Sequence, residues 1–151
     1  MDNNYDYIEL YKTQLSENTI ILTKAIIEGI DLYLSKFSIK ASLSFSAPNK
    51  EKYEEDYMNF LLSISPKISE LTELNAELAS LIIASDKAAK VETTILLQKR
   101  FDAFCLFEKS LYEYTTAIDT TISSNNISTS FIVSATQKFK LATQLLQQAN
   151  L

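Results

Sequence analysis

Glycine occurs once and proline twice in 151 residues, and no other property of the sequence constrains the fold as much. Tight turns, β-hairpins and ligand-cradling loops depend on residues that adopt positive φ or fix φ near −65°. A chain nearly without them is confined to long regular segments with short connections. Phosphate-binding loops of the P-loop or dinucleotide type, which need several glycines, are excluded. Histidine is absent as well, so the usual neutral-pH proton shuttle and the commonest metal ligand are missing.

The chain is 46% hydrophobic and 22% charged, apolar enough to bury a core, and its length suits a single helical domain over 1–151. A net charge of −5 argues against direct nucleic-acid binding, which rests on Lys and Arg neutralising phosphates. Cys105 is the only cysteine, so no intrachain disulfide forms. The first residues carry Asp2, Asp6, Glu9 and Glu17 where a secretory signal has a basic start and an unbroken apolar run. The most apolar stretch, Ile20 to Leu34, is interrupted by Lys24, Glu28 and Asp31, and a spanning helix needs about 20 nearly uncharged residues. No transmembrane segment is expected. The expected location is cytoplasmic at synthesis, with export by a route independent of a signal peptide left open.

Apolar residues recur at helical spacing along most of the chain. Ile8, Tyr11, Leu15, Leu22, Ile26, Ile30 and Tyr33 share one face of a first helix from Asp6 to about Lys36, in which Gly29 marks either close approach of another helix or a tolerated surface glycine. Ser46-Ala-Pro48 reads as a helix start, followed by Tyr57, Phe60, Leu61 and Ile64 on one face. Pro66 removes a donor and predicts a break or kink, after which Ile68, Leu71, Leu74, Leu78 and Leu81 resume the pattern. Ser85-Asp86 is a candidate cap. The next face holds Val91, Ile95, Leu97, Phe101, Phe104, Leu111, Tyr114 and Ile118, and it ends at the turn-like Ser123-Ser-Asn-Asn126. Ala135, Phe139, Ala142, Leu146 and Ala149 mark a last helix from about Thr129 to Asn150. The expected fold is an all-α antiparallel bundle of four to five helices.

One segment departs from this period. Phe37, Ile39, Ala41, Leu43, Phe45 and Ala47 alternate with polar or small residues, which predicts a short extended segment near 37–47. An isolated strand leaves backbone donors and acceptors to be covered, so Leu43 and Phe45 are candidate contacts for a partner or for a second copy in a homodimer. The competing reading extends the first helix, since Phe37, Ala41 and Phe45 also lie four apart.

Few residues are arranged for chemistry. Glu70, Glu73 and Glu77 share a helix face; with no histidine they lack the Glu-x-x-His pairing of a di-iron bundle, and no EF-hand loop is present. They read as a solvated face or as an acidic patch for a basic protein. Cys105, among Phe101, Phe104 and Phe107, reads as a small buried hydrophobe without a base to activate it. Of the eight tyrosines, Tyr11, Tyr57 and Tyr114 fall on core stripes, and Tyr5 and Tyr7 at the amino terminus are candidate contact residues. The segment from 124 onward carries Lys138 and Lys140 and no acid. No enzyme activity, metal or cofactor is expected. The expected function is protein-protein interaction, as a secretion accessory, chaperone or effector domain of a bacterium or phage. The other reading is an acidic inhibitor, such as an immunity protein, antitoxin or anti-defence factor, that blocks a basic enzyme site.

Overall fold

The helical stripes resolve into α1 (Asn3–Ala41), α2 (Lys50–Lys87), α3 (Val91–Ser123) and α4 (Thr129–Ala149) in a computed structural model that describes residues 3–41, 50–123 and 129–149. The described residues contain no strand. Contacts run in a ring, α1 on α2, α2 on α3, α3 on α4 and α4 back on α1. Cross-helix pairs fix the directions: Asp31 of α1 meets Lys140 of α4, and Arg100 near the start of α3 donates to the Ala149 carbonyl at the end of α4 at 3.4 Å. This is an antiparallel four-helix bundle with α1/α2 on one side and α3/α4 on the other.

The core follows the predicted stripes. Ile8, Leu15, Ile26, Ile30 and Tyr33 of α1 are buried against Phe60, Ile64, Leu71 and Leu78 of α2 and Leu97, Phe104 and Ile118 of α3, with Phe139 and Leu146 from α4. Aromatic rings tie all four helices together. Tyr33 stacks on Phe60 with centroids 4.5 Å apart, Phe60 meets Tyr114 edge-on at 6.2 Å, and Tyr114 stacks on Phe139 at 5.2 Å. Such offset and edge-on pairs add stabilisation beyond the area they bury. Tyr57 and Tyr114 are buried to their hydroxyls, whose pKa values burial pushes up.

The structure corrects the sequence reading at several points. α1 continues to Ala41, so residues 37–41 are helical and not extended; in an all-α setting a helix satisfies its own backbone, while a lone strand has nothing to pair with. Residues 42–47, with Leu43 and Phe45, lie outside the described residues. α2 is one helix through Pro66 and is not broken there, and the four helices fall within the expected four to five. Pro66 is exposed, so the Leu62 carbonyl that loses its i+4 donor is on the solvent side, while Ser65 Oγ donates to the Leu61 carbonyl at 2.6 Å. Val91 and Ile95, expected in the core, are 67% and 53% exposed. Arg100 is buried instead, with its guanidinium at the negative end of α4, a favourable site for a cation.

Ser85 lies in the last turn of α2 and does not cap α3. α2 ends in a Schellman arrangement: Lys90 N–H donates to the Ser85 carbonyl and Ala89 N–H to the Asp86 carbonyl, both at 3.0 Å. Ala89 takes φ 58° to close it, a conformation usually given to glycine. Gly29 turns out to mark a close approach, since a Cβ there would sit 3.2 Å from Ile64 Cγ2.

Candidate functional site

The outer seam between α1 and α2 gathers most of the residues singled out in the sequence. Glu70, Glu73 and Glu77 are spaced to stay on one side of α2, and the antiparallel register sets them opposite Asn18, Ile21 and Leu22 of α1. Together with Leu74 these residues line an open groove of 480 Å³. Ile21 is 64% exposed in it. The groove continues toward the start of α1 as a 260 Å³ depression bounded by Tyr7, Tyr11, Glu77, Ser80, Leu81 and Ala84, so Glu77 belongs to both.

The tyrosines are organised by the same seam. Tyr7 and Tyr11, one helical turn apart, stack with centroids 5.5 Å apart. Partial burial raises the Tyr11 hydroxyl pKa, and the nearby Glu77 carboxylate raises it further. Tyr7 is 58% exposed and presents its ring at the mouth of the groove. The side chain of Tyr5 lies outside the described residues.

The electrostatics of this face are one-sided. Among the described residues, no lysine or arginine lines either part of the groove. Lys67, one turn before Glu70, donates to the Ser63 carbonyl at 3.0 Å. At the far end of the seam the lining is mixed, with Lys36 and Asp56 beside Gly29, Asn59 and Phe60. The described residues contain no group of three or more carboxylate or thiol side chains placed to hold a metal ion.

Cys105 is exposed, contrary to the expectation of a buried thiol, because it sits one position off the stripe set by Phe104 and Phe107. Desolvation pushes its pKa up, and the nearby carboxylates of Glu108 and Asp102 push it further. That is the opposite of what thiolate nucleophiles need.

One surface was missed in the sequence. Across the bundle, α3 and α4 enclose two adjoining hollows of 240 Å³ each, sharing Ser110, Glu113 and Lys138. Phe131, Leu141 and Leu145 of α4 and Leu106 of α3 are 47%, 57%, 42% and 49% exposed there. The signal was a second apolar stripe on α4, at 131, 138, 141 and 145, interleaved with the core stripe and disguised by the lysine at its centre.

No protein-family model matches this chain, and neither a curated protein nor a solved structure matches it significantly. The functional reading therefore rests on its own surfaces. No helix among the described residues is long and apolar enough to cross a membrane.

Proposed function

We propose that this chain is a non-enzymatic binding module whose α1/α2 face receives a basic segment of another protein. The observation that supports it is the gathering of Glu70, Glu73 and Glu77 with exposed Ile21 and the Tyr7/Tyr11 stack on one groove that no basic side chain lines among the described residues. Carboxylates steer a cationic partner and select against an anionic one, while apolar and tyrosine side chains supply the area that holds it. A seam between two helices suits an amphipathic helix laid along it, with anchors at i, i+3, i+4 and i+7. Lysines or arginines on such a helix would reach the glutamates while its apolar face covers Ile21 and Leu22.

Action as a secretion accessory, chaperone or effector domain would each work through contact of this kind. An inhibitor that plugs a basic enzyme site would use the same glutamates, but it needs them on a protrusion that enters the enzyme. Glutamates lining a groove favour receiving a segment over inserting one.

The test is to capture partners on the tagged chain and compare it with the Glu70→Gln, Glu73→Gln, Glu77→Gln triple variant. All three positions are exposed and Gln is nearly as good a helix former as Glu, so the fold is retained. Binding of the captured partner should weaken by about tenfold or more in the variant, and wild-type binding should fall as salt screens the charges. Equal binding by both proteins with no salt dependence would overturn the proposal.

A further inference from the structure

The hollow at the amino-terminal end of the α1/α2 groove has a chemistry of its own. Its 260 Å³, bounded by Tyr7, Tyr11, Glu77, Ser80, Leu81 and Ala84, falls short of the roughly 300–1,000 Å³ of small-molecule sites. It suits one long side chain. The wall on the α1 side is aromatic: Tyr7 and Tyr11 stack with centroids 5.5 Å apart and ring planes 16° from parallel, and Tyr7 keeps 58% of its surface in water. The α2 side contributes Glu77, whose carboxylate is near enough to the Tyr11 hydroxyl to raise its pKa beyond what burial does. Leu81 and Ala84 add apolar lining, and among the described residues no lysine or arginine borders the hollow.

Both sides of this hollow favour a cation, the rings through their quadrupole and Glu77 through its charge. The flatness of the aromatic wall decides which cation fits best. A methylated ammonium is held by rings set around it as a cage, and two near-parallel rings on one helix form no cage. A lysine ammonium is a compact, strongly hydrated point charge. A guanidinium is planar and weakly hydrated, and it stacks on an aromatic face while its edge offers a carboxylate two parallel N–H donors. Its apolar stem is suited to Leu81 and Ala84.

We propose that this hollow is an arginine subsite, in which the guanidinium of one arginine of the partner stacks on Tyr7 and pairs with Glu77. The inference rests on the reading of the α1/α2 groove as the seat of a basic segment, and it names the side chain that fixes the segment's position. Glu77 also borders the larger groove, so the segment runs on from the arginine toward Ile21. Tyr11 and Ile21 are ten residues apart on α1, about 15 Å along the helix. A helical partner therefore carries its apolar anchor about three turns from the arginine.

The probes are N-acetyl-arginine methylamide and its lysine counterpart, titrated at millimolar concentration into the full chain and followed by the shifts of its backbone amides in NMR spectra. The arginine probe should move the amides of residues 7–11 and 77–84 and bind about threefold or more tightly than the lysine probe, the size of an exposed cation–π contact. Tyr7→Leu should abolish that preference, and Tyr7→Phe, which keeps the ring face, should retain it; the position is exposed, so both variants fold. Tyr112→Leu, at an exposed tyrosine of α3, should bind both probes as the wild type does. Equal binding of the two probes, shifts confined to other residues, or a preference that survives Tyr7→Leu would overturn the arginine subsite. The groove reading fails on a different result, partner binding indifferent to Glu70→Gln, Glu73→Gln and Glu77→Gln together, so the two failures are told apart.

Discussion

Tyr57 and Tyr114 are both buried, yet their hydroxyls have different surroundings. Tyr114 Oη lies 3.3 Å from Thr136 Oγ1, whereas Tyr57 Oη is buried without a hydrogen-bond partner among the described residues. A buried donor left unmade costs about 1–3 kcal/mol, and a typical bond contributes about 1 kcal/mol net. The same substitution should then act with opposite sign: Tyr57→Phe should leave stability unchanged or raise it by about 1 kcal/mol, and Tyr114→Phe should lower it by a similar amount. Chemical denaturation of the two variants checks this. Gly29 sets a second local limit. Ala there regains about 1 kcal/mol of helix propensity but must press on the Ile64 methyl, whereas Val adds branches that the 3.2 Å spacing to Ile64 cannot take. Gly29→Val should destabilise by about 1–3 kcal/mol through overpacking, and a melting temperature equal to wild type would mean that α1 and α2 are not so closely apposed.

Pairing between elements depends on a few polar contacts at the bundle end. Glu9 of α1 lies 2.8 Å from Lys12 and 3.8 Å from Lys90 at the α2–α3 turn, and Thr93 donates to it at 3.4 Å. The Lys12 hydrogen bond foremost, with the charges of Lys12 and Lys90, holds its pKa below the ordinary carboxylate value against a desolvation that raises it. A lowered folded pKa means that this stabilisation is present above the unfolded value and lost as pH falls through the folded one. Glu9→Gln should therefore cost about 0.5 kcal/mol at pH 7, the scale of partly exposed pairs, and the melting curves of variant and wild type should converge only as pH falls below the ordinary carboxylate range. The helices themselves were legible in the sequence because burial follows the 3.6-residue period, as with Ile26 and Ile30 or Leu71 and Leu78. Glu70, Glu73 and Glu77 were legible as a row for the same reason. What faces them was not, because Tyr11, Asn18 and Ile21 come opposite only through the register of α1 on α2, which is set by packing such as that of Gly29 on Ile64. The Phe37–Ala47 alternation misled over 37–41 because a two-residue period and a four-residue period coincide at Phe37 and Ala41. Cys105 misled because Phe101, Phe104 and Phe107 close to it in sequence share the buried stripe, whereas Cys105, one residue past Phe104, is turned about 100° round the helix from it.

At the scale of the whole molecule, the ring order of the helices separates two faces of different chemistry. The α1/α2 side carries an acidic groove edged with tyrosine, and the α3/α4 side an apolar stripe with a lysine at its centre and a glutamate beside it. Ile21, Leu141 and Leu145 keep 64%, 57% and 42% of their surface in water with the core closed, and that exposed apolar area directs attention to contacts outside the chain. The central claim is that a basic protein partner occupies the acidic side. Amide hydrogen exchange of the chain, free and bound to the partner it captures, tests that most directly. The account predicts added protection across residues 7–22 of α1 and 70–84 of α2, with α3 and α4 exchanging as in the free protein. Protection on α3 and α4 with the α1/α2 groove unchanged would contradict it.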